Sequence, residues 1–351
     1  MIWNYIRKKV GADYPRLVLI PINDPSTGEV DFPNTLDQGQ RSFFLRKGEK
    51  VRVQKKEIRS LNATIDGSNA ACRISATLSR LQADDEIGNG NIPTKQNRET
   101  WALEKGLRTL ILNVVEERTK SGGDENDLLQ MLLEGAKNST ELSQDGTERF
   151  VVDNCKSMYL GGYETTAVSA EWCLMLLAAN QEWQGRVRAE VLQICAGRIP
   201  NYDMIRKMKQ LTMVLNESLR LYPPVATISR EALKDMKFGD IEVPKGVHLM
   251  CPIVALQTDP EFWGPDSYEF KPERFANGIA GACKLPHLYM PFGAGPRGCL
   301  GQFLALAELK LLIALILSNF SFTLSPDYVH SPAFHMVIEP EHGVDLVLMK
   351  L

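Results

Sequence analysis

The 351-residue sequence predicts a mainly α-helical protein with a small β region. Three observations predict it. Residues 150–179 are a long, mostly apolar run, and residues 302–318 (Gln-Phe-Leu-Ala-Leu-Ala-Glu-Leu-Lys-Leu-Leu-Ile-Ala-Leu-Ile-Leu-Ser) are a second, both longer than strands run. Between them, Met236-Lys-Phe-Gly-Asp-Ile-Glu-Val-Pro-Lys-Gly-Val-His248 reads as short strands joined by a Pro-Lys-Gly turn.

The elements follow in chain order. Residues 1–90 are left unassigned except for Ser42-Phe-Phe-Leu-Arg-Lys-Gly-Glu-Lys-Val-Arg-Val-Gln54, which suits a β-hairpin turning at Lys47-Gly48. That segment holds 14 Lys+Arg against 11 Asp+Glu, whereas residues 91–351 hold 26 against 32, and the shift places a boundary near residue 90. A surplus of three positive charges over 90 residues is an ordinary solvated surface, so no nucleic-acid partner is expected. Lys120 to Asp127 reads as a solvated loop. The run at 150–179 is interrupted by Gly161-Gly162-Tyr163-Glu164-Thr165-Thr166, and two glycines inside a helix cost about 1–2 kcal/mol, so a local loosening is expected there. A further helix begins near Asp203 and stops before Pro223-Pro224, because residues ahead of proline leave the α region. Glu217 and Arg220 share a face of it.

Seven cysteines, at 72, 155, 173, 195, 251, 283 and 299, include no CxxC pair, and five histidines form no ligand pattern on a helix face. Neither a disulfide framework nor a zinc site is expected. In residues 1–90 no apolar run reaches 18 residues, and Leu17-Val-Leu-Ile-Pro-Ile22 is too short to span a bilayer.

One thiol stands apart. Phe292-Gly-Ala-Gly-Pro-Arg297-Gly-Cys299-Leu-Gly301 sets Cys299 in a glycine-rich loop at the positive end of the 302–318 helix, where a thiolate is stabilised by about 0.3–1 kcal/mol. Gly295, Gly298 and Gly301 lack a Cβ, so the loop can turn sharply and bring backbone N–H groups toward the sulfur.

This Phe-x-x-Gly-x-Arg-x-Cys-x-Gly segment resembles the signature of the cytochrome P-450 family at every fixed position. The Gly-Gly-x-Glu-Thr step, Glu217-x-x-Arg220 and Pro272-Glu-Arg274-Phe follow the family's order. The resemblance runs from about Ile92 to Leu351 and implies the P-450 fold, incomplete at its N-terminal side, because the chain is shorter than the family norm and lacks the early Trp-x-x-x-Arg. It implies haem b with Cys299 as axial ligand of the iron, Phe292 over the sulfur, Gly295 and Gly301 shaping the loop, and Arg297 and Arg230 on the propionates. Glu164 and Thr165 would deliver protons to dioxygen, and Glu217, Arg220 and Arg274 would form a structural triad. One departure is Leu256-Gln257-Thr258-Asp259-Pro260, where relatives often read Leu-His-Arg-Asp-Pro.

The implied activity is insertion of one oxygen atom from dioxygen into a small lipophilic substrate. Electrons would come from NADPH through a flavoprotein reductase, with Arg206, Lys207 and Lys209 suited to an acidic partner. The implied location is the cytosolic face of the endoplasmic reticulum membrane, although no anchor segment is found in this chain. Asp127–Ala136 and Glu339-Pro-Glu-His-Gly-Val344 look most like plant members acting on terpenoids and gibberellin-type diterpenes. Two alternatives stand beside this reading: a truncated, non-catalytic product unable to close the haem pocket, and a haem-thiolate isomerase or dehydratase, a class that tends to lose the acid–threonine pair.

Overall fold

The computed structural model describes residues 93–121, 127–138 and 143–351, with the backbone of two short strands, β1 (Ile20–Pro21) and β2 (Lys50–Val53). The chain divides into two compact units, and one of the division points, between Tyr163 and Glu164, falls inside a helix. The architecture is mainly helical with small antiparallel sheets.

The first unit holds α1 (Lys95–Ser121), α2 (Leu128–Asn138) and the opening part of α3 (Gln144–Ala179). Asp127 caps α2 by accepting from the N–H of Gln130 at 2.9 Å and pairs with Arg118 at 2.8 Å. Leu129, Ala136 and Val151 form a small core, with Val115, Leu133 and Cys155 packed on it.

The second unit takes in Leu19–Lys55 and resumes at Glu164. From Thr166 to Ala178 every residue of α3 is buried, so this stretch is a helix surrounded on all sides. It is followed by α4 (Gln181–Cys195), α5 (Tyr202–Lys207) and α6 (Lys209–Leu221). The single helix expected from Asp203 to Pro223 is therefore two. Met208 leaves the helical region (ψ 89°), and Glu190 of α4 caps the new start by accepting from the N–H groups of Gln210 and Leu211 at 2.9 and 3.0 Å.

The β region comprises β3 (Thr227–Glu231), β4 (Met236–Phe238), β5 (Ile241–Val243) and β6 (His248–Pro252), paired β3 with β6 and β4 with β5. Gly239 (φ 58°) turns the β4–β5 hairpin, and Gly246 (φ 87°) ends the Pro-Lys-Gly turn. Short helices α7 (Ile253–Thr258) and α8 (Pro260–Trp263) lead into an irregular segment ending at Cys299. Then come α9 (Gln302–Asn319), β7 (Phe320–Leu324), the hairpin β8 (Pro332–His335) and β9 (Val337–Pro340), and β10 (Val344–Lys350). β10 pairs with β7 on one edge and with β2 on the other, and β2 also pairs with β1. Of the hairpin expected at 42–54, the second arm thus joins the C-terminal sheet; its first arm and turn lie outside the described residues.

Gln184, fully buried, ties α3, α4 and β7 together. Its amide donates to the carbonyls of Leu177 and Phe322, and its Oε1 accepts from the Phe322 N–H and from Arg188. Among the described residues α9 alone is long and apolar enough to cross a membrane; it packs against α4 and α6, burying Leu309, Ile313 and Leu317. Burial pushes the carboxyl of Glu308 on this helix up from 4.5 to about 7. A raised carboxyl contributes its full stability below the unfolded value and loses it as pH rises through the folded one. Glu308→Gln should therefore melt higher than the native chain above pH 7, by on the order of 3 kcal/mol at most, and match it below about pH 4.5.

Candidate functional site

The Cys299 loop is held by its own backbone. The Gly293 N–H donates to Met290 at 2.9 Å, Gly298 to Gly295 at 3.0 Å, and Cys299 to Phe292 at 2.8 Å, so the thiol is presented three residues before Gln302, where α9 starts. Residues Gly295–Arg297 make a 3₁₀ turn. The glycines divide differently from the expectation. Gly293 and Gly295 have positive φ (73° and 72°) and need glycine for it, whereas Gly301 (φ −90°) and Gly298 (φ −59°) do not. A Cβ on Gly298 would crowd the Gly295 carbonyl at 3.3 Å, while one on Gly301 would meet nothing within 4 Å. Phe292 is half-buried, and its link to Cys299 is the backbone hydrogen bond.

Strand β3 lies against this loop, because a Cβ on Gly293 would come within 3.8 Å of Ile228. Arg230 is two residues further along the strand and so shares the Ile228 face. Arg230 and Arg297 are both exposed, and among the described residues neither has a carboxylate within ion-pair distance. Cys299 is exposed too, and Leu300 and Phe303 beside it are each 83% exposed.

Behind the loop, Glu217 and Arg220 are completely buried and joined by two hydrogen bonds, Nε to Oε2 at 2.7 Å and Nη2 to Oε1 at 2.8 Å. Arg220 also donates to the carbonyls of Gln257, Ser267 and Glu269, and its guanidinium lies 5.1 Å from the Trp263 ring centre. Arg274 reaches Glu217 at 3.4 Å and donates to the carbonyls of Trp263 and Asp266. The structure thus brings Glu217, Arg220 and Arg274 together. Asp266 is drawn in as well, and hydrogen bonds from Lys271 and Arg274 hold its carboxyl down to about 2.

Gln257, which marked the departure from the expected pattern, turns out to be a fastener. Fully buried, it donates to the carbonyls of Leu219 and Arg220, and its Oε1 accepts from the Met290 N–H at 3.0 Å. It joins the end of α6 to the start of the cysteine loop. Sequence reasoning missed this role, along with the requirement at Gly293.

On α3, Glu164 is buried and Thr165 half-buried, and the Thr165 carbonyl accepts from the Ser169 hydroxyl at 2.8 Å. The expected interruption at Gly161-Gly162 is absent, since α3 runs unbroken through it. The flanking turns supply enough hydrogen bonding to carry two glycines across.

These residues can be tested against a haem. A free thiol at a helix start, apolar side chains around it and two guanidinium groups with no carboxylate partner among the described residues match an iron, an apolar ring and a pair of propionates. The donor set fits.

A thiol so presented, backed by a buried carboxylate–guanidinium network in a mainly helical unit, is an arrangement compatible with the class of haem-thiolate proteins. The family model described as cytochrome P450 matches residues 87–346, and the chain belongs to that family. The family's cofactor is haem iron, and the mainly helical fold with its small strand region is the family's fold. Among similar proteins, Cytochrome P450 714C2 of Oryza sativa subsp. japonica is 52% identical over 266 residues, covering 75% of this chain and 51% of that protein. Cytochrome P450 714A2 of Arabidopsis thaliana is 50% identical over 248 residues (69% and 47%), and Cytochrome P450 714B3 of Zea mays 48% over 259 residues (74% and 47%). The chain spans about half the length of the curated relatives it matches.

Proposed function

We propose that residues 91–351 are the haem-binding part of a monooxygenase that places one oxygen atom from dioxygen into a small lipophilic substrate, with residues 1–90 unassigned apart from strands β1 and β2. The cysteine loop carries this reading: five backbone-defined residues, Gly293, Gly295, Gly298, Cys299 and Phe292, exist in a conformation whose one evident result is a thiol held at the start of α9. Bound there, the haem supplies activation of dioxygen at its iron. Cys299 would hold the iron through its sulfur, whose electron density would tune the reactivity the haem supplies. Arg297 and Arg230 would hold the propionates by charge-assisted hydrogen bonds. Glu217, Arg220, Arg274 and Gln257 fix the segment that carries the loop. Glu164 and Thr165 would hold and pass protons at the oxygen side, Thr165 through its hydroxyl.

The retained Glu164–Thr165 pair supports oxygen chemistry over isomerisation. NADPH-derived electrons would arrive through a flavoprotein reductase. Terpenoids or gibberellin-type diterpenes are the proposed substrates, on the likeness of Asp127–Ala136 and Glu339–Val344 to plant members with that chemistry. The proposed location is the cytosolic face of the endoplasmic reticulum membrane.

Thr165→Ala tests the reading. It should leave haem and substrate binding nearly unchanged while reductant consumption yields peroxide in place of product, measured as the ratio of peroxide to NADPH oxidised. Unchanged coupling would remove Thr165 from proton delivery.

A further inference from the structure

Four residues that the proposed chemistry does not use form a continuous contact chain in the second unit. Trp172 on α3 is fully buried and stacks face to face on Tyr222, with ring centres 4.2 Å apart and planes 14° from parallel. The Tyr222 hydroxyl lies 3.1 Å from Nε2 of His330, whose Nδ1 lies 3.0 Å from the hydroxyl of Tyr328. His330 is exposed, and Tyr328 is half-buried. The indole N–H donates to the Ile338 carbonyl at 2.8 Å, a poor base that leaves this proton in place. Trp172 follows Thr165 by seven residues, which puts it on the same face of α3, about 10 Å along the axis.

Packing alone asks for less than this. A half-buried tyrosine such as Tyr222 needs one partner for its hydroxyl, and a water or a carbonyl serves. Here the partner is an imidazole whose other nitrogen is engaged by a second phenol, and this fixes which nitrogen faces Tyr222. A phenol gives up an electron readily only when its proton can leave at the same time, so a base in hydrogen-bond contact decides whether an adjacent oxidised indole is refilled.

We propose that Trp172, Tyr222 and His330 form a proton-coupled electron relay that carries an oxidising equivalent from the buried face of α3 to the surface, with Tyr328 as a positioning residue. Trp172 loses one electron to a one-electron oxidant and becomes a radical cation. Tyr222 supplies the replacing electron across the stack, and its phenolic proton passes to Nε2 of His330, leaving a neutral tyrosyl radical and an imidazolium. A thiol or ascorbate in solution returns the electron, and the imidazolium returns the proton. The cellular oxidant, a reactive oxygen species formed beside Thr165 when no substrate is present, rests on the function proposed above; the relay itself does not.

The test uses the full chain and a photogenerated ruthenium(III) polypyridyl oxidant with persulfate as sacrificial acceptor, read by peptide mass spectrometry and spin trapping. In the native chain, adducts collect on Tyr222 and Trp172 stays largely intact. Tyr222→Phe keeps the stacked ring but removes the proton, and oxidation products on Trp172 should rise several-fold. His330→Leu leaves both rings in place and removes the base, so it should give the same several-fold rise, and tyrosyl formation in the native chain should slow in D2O. Both variants are checked for native-like circular dichroism. Because His330 is exposed, its replacement keeps the test open if Tyr222→Phe folds poorly. Trp172 oxidation unchanged in His330→Leu, or tyrosyl formation indifferent to D2O, would overturn the relay and leave the cluster a packing feature.

Discussion

Arg220→Leu should destabilise the second unit by about 3–5 kcal/mol in urea unfolding, the cost of stranding a buried charge. Glu217 is fully buried and receives two of its hydrogen bonds from Arg220. Removal of the guanidinium also strands the carbonyls of Gln257, Ser267 and Glu269. Arg274 at 3.4 Å and the Lys271 N–H at 2.9 Å keep Glu217 only partly compensated. The double variant Glu217→Leu/Arg220→Leu should lose less than Arg220→Leu alone, because it removes the orphaned charge with its partner. A cost under about 1 kcal/mol for Arg220→Leu would show that the network does not hold the segment leading to Cys299.

The second large effect is spectroscopic. Cys299→Ala should abolish the red-shifted Soret band that thiolate ligation gives the reduced carbon monoxide complex, while leaving the melting temperature of the haem-free chain nearly unchanged. The thiol is exposed, and the hydrogen bonds that shape its loop are backbone to backbone, so the side chain contributes little to folding. Retention of the band in Cys299→Ala would place the ligand elsewhere.

The cysteine loop was legible in the sequence because it depends on residues a few positions apart, whereas Glu217-x-x-Arg220 stood out only beside Pro272-Glu-Arg274-Phe, through the family resemblance. Helix α9 was legible for the same reason as the loop, its apolar run ending within one residue of the observed Asn319. Gln257 was not, since its partners are the carbonyls of Leu219 and Arg220 and the N–H of Met290, all distant backbone atoms with no signature of their own. The break at Met208 depends on Glu190, a glutamate on α4. The opening of α3 was read six residues late, because Gln144–Arg149 is polar and its start is marked by Ser143, which accepts from the Gly146 N–H at 3.2 Å. The unbroken course through Gly161-Gly162 went the other way: intrinsic propensity disfavours both glycines, and the cooperative helix around them overrides it. The Trp172–Tyr222–His330 contact joins segments 108 residues apart in its last step, beyond the reach of any local pattern.

The central claim is that this chain presents Cys299 as the thiolate ligand of a haem, and the reduced carbon monoxide difference spectrum of the haem-reconstituted native chain tests it most directly. The expected spectrum shows the red-shifted thiolate band, in proportion to the haem bound. A complex showing only the band of a histidine-ligated or unligated haem, at full haem occupancy, would contradict it.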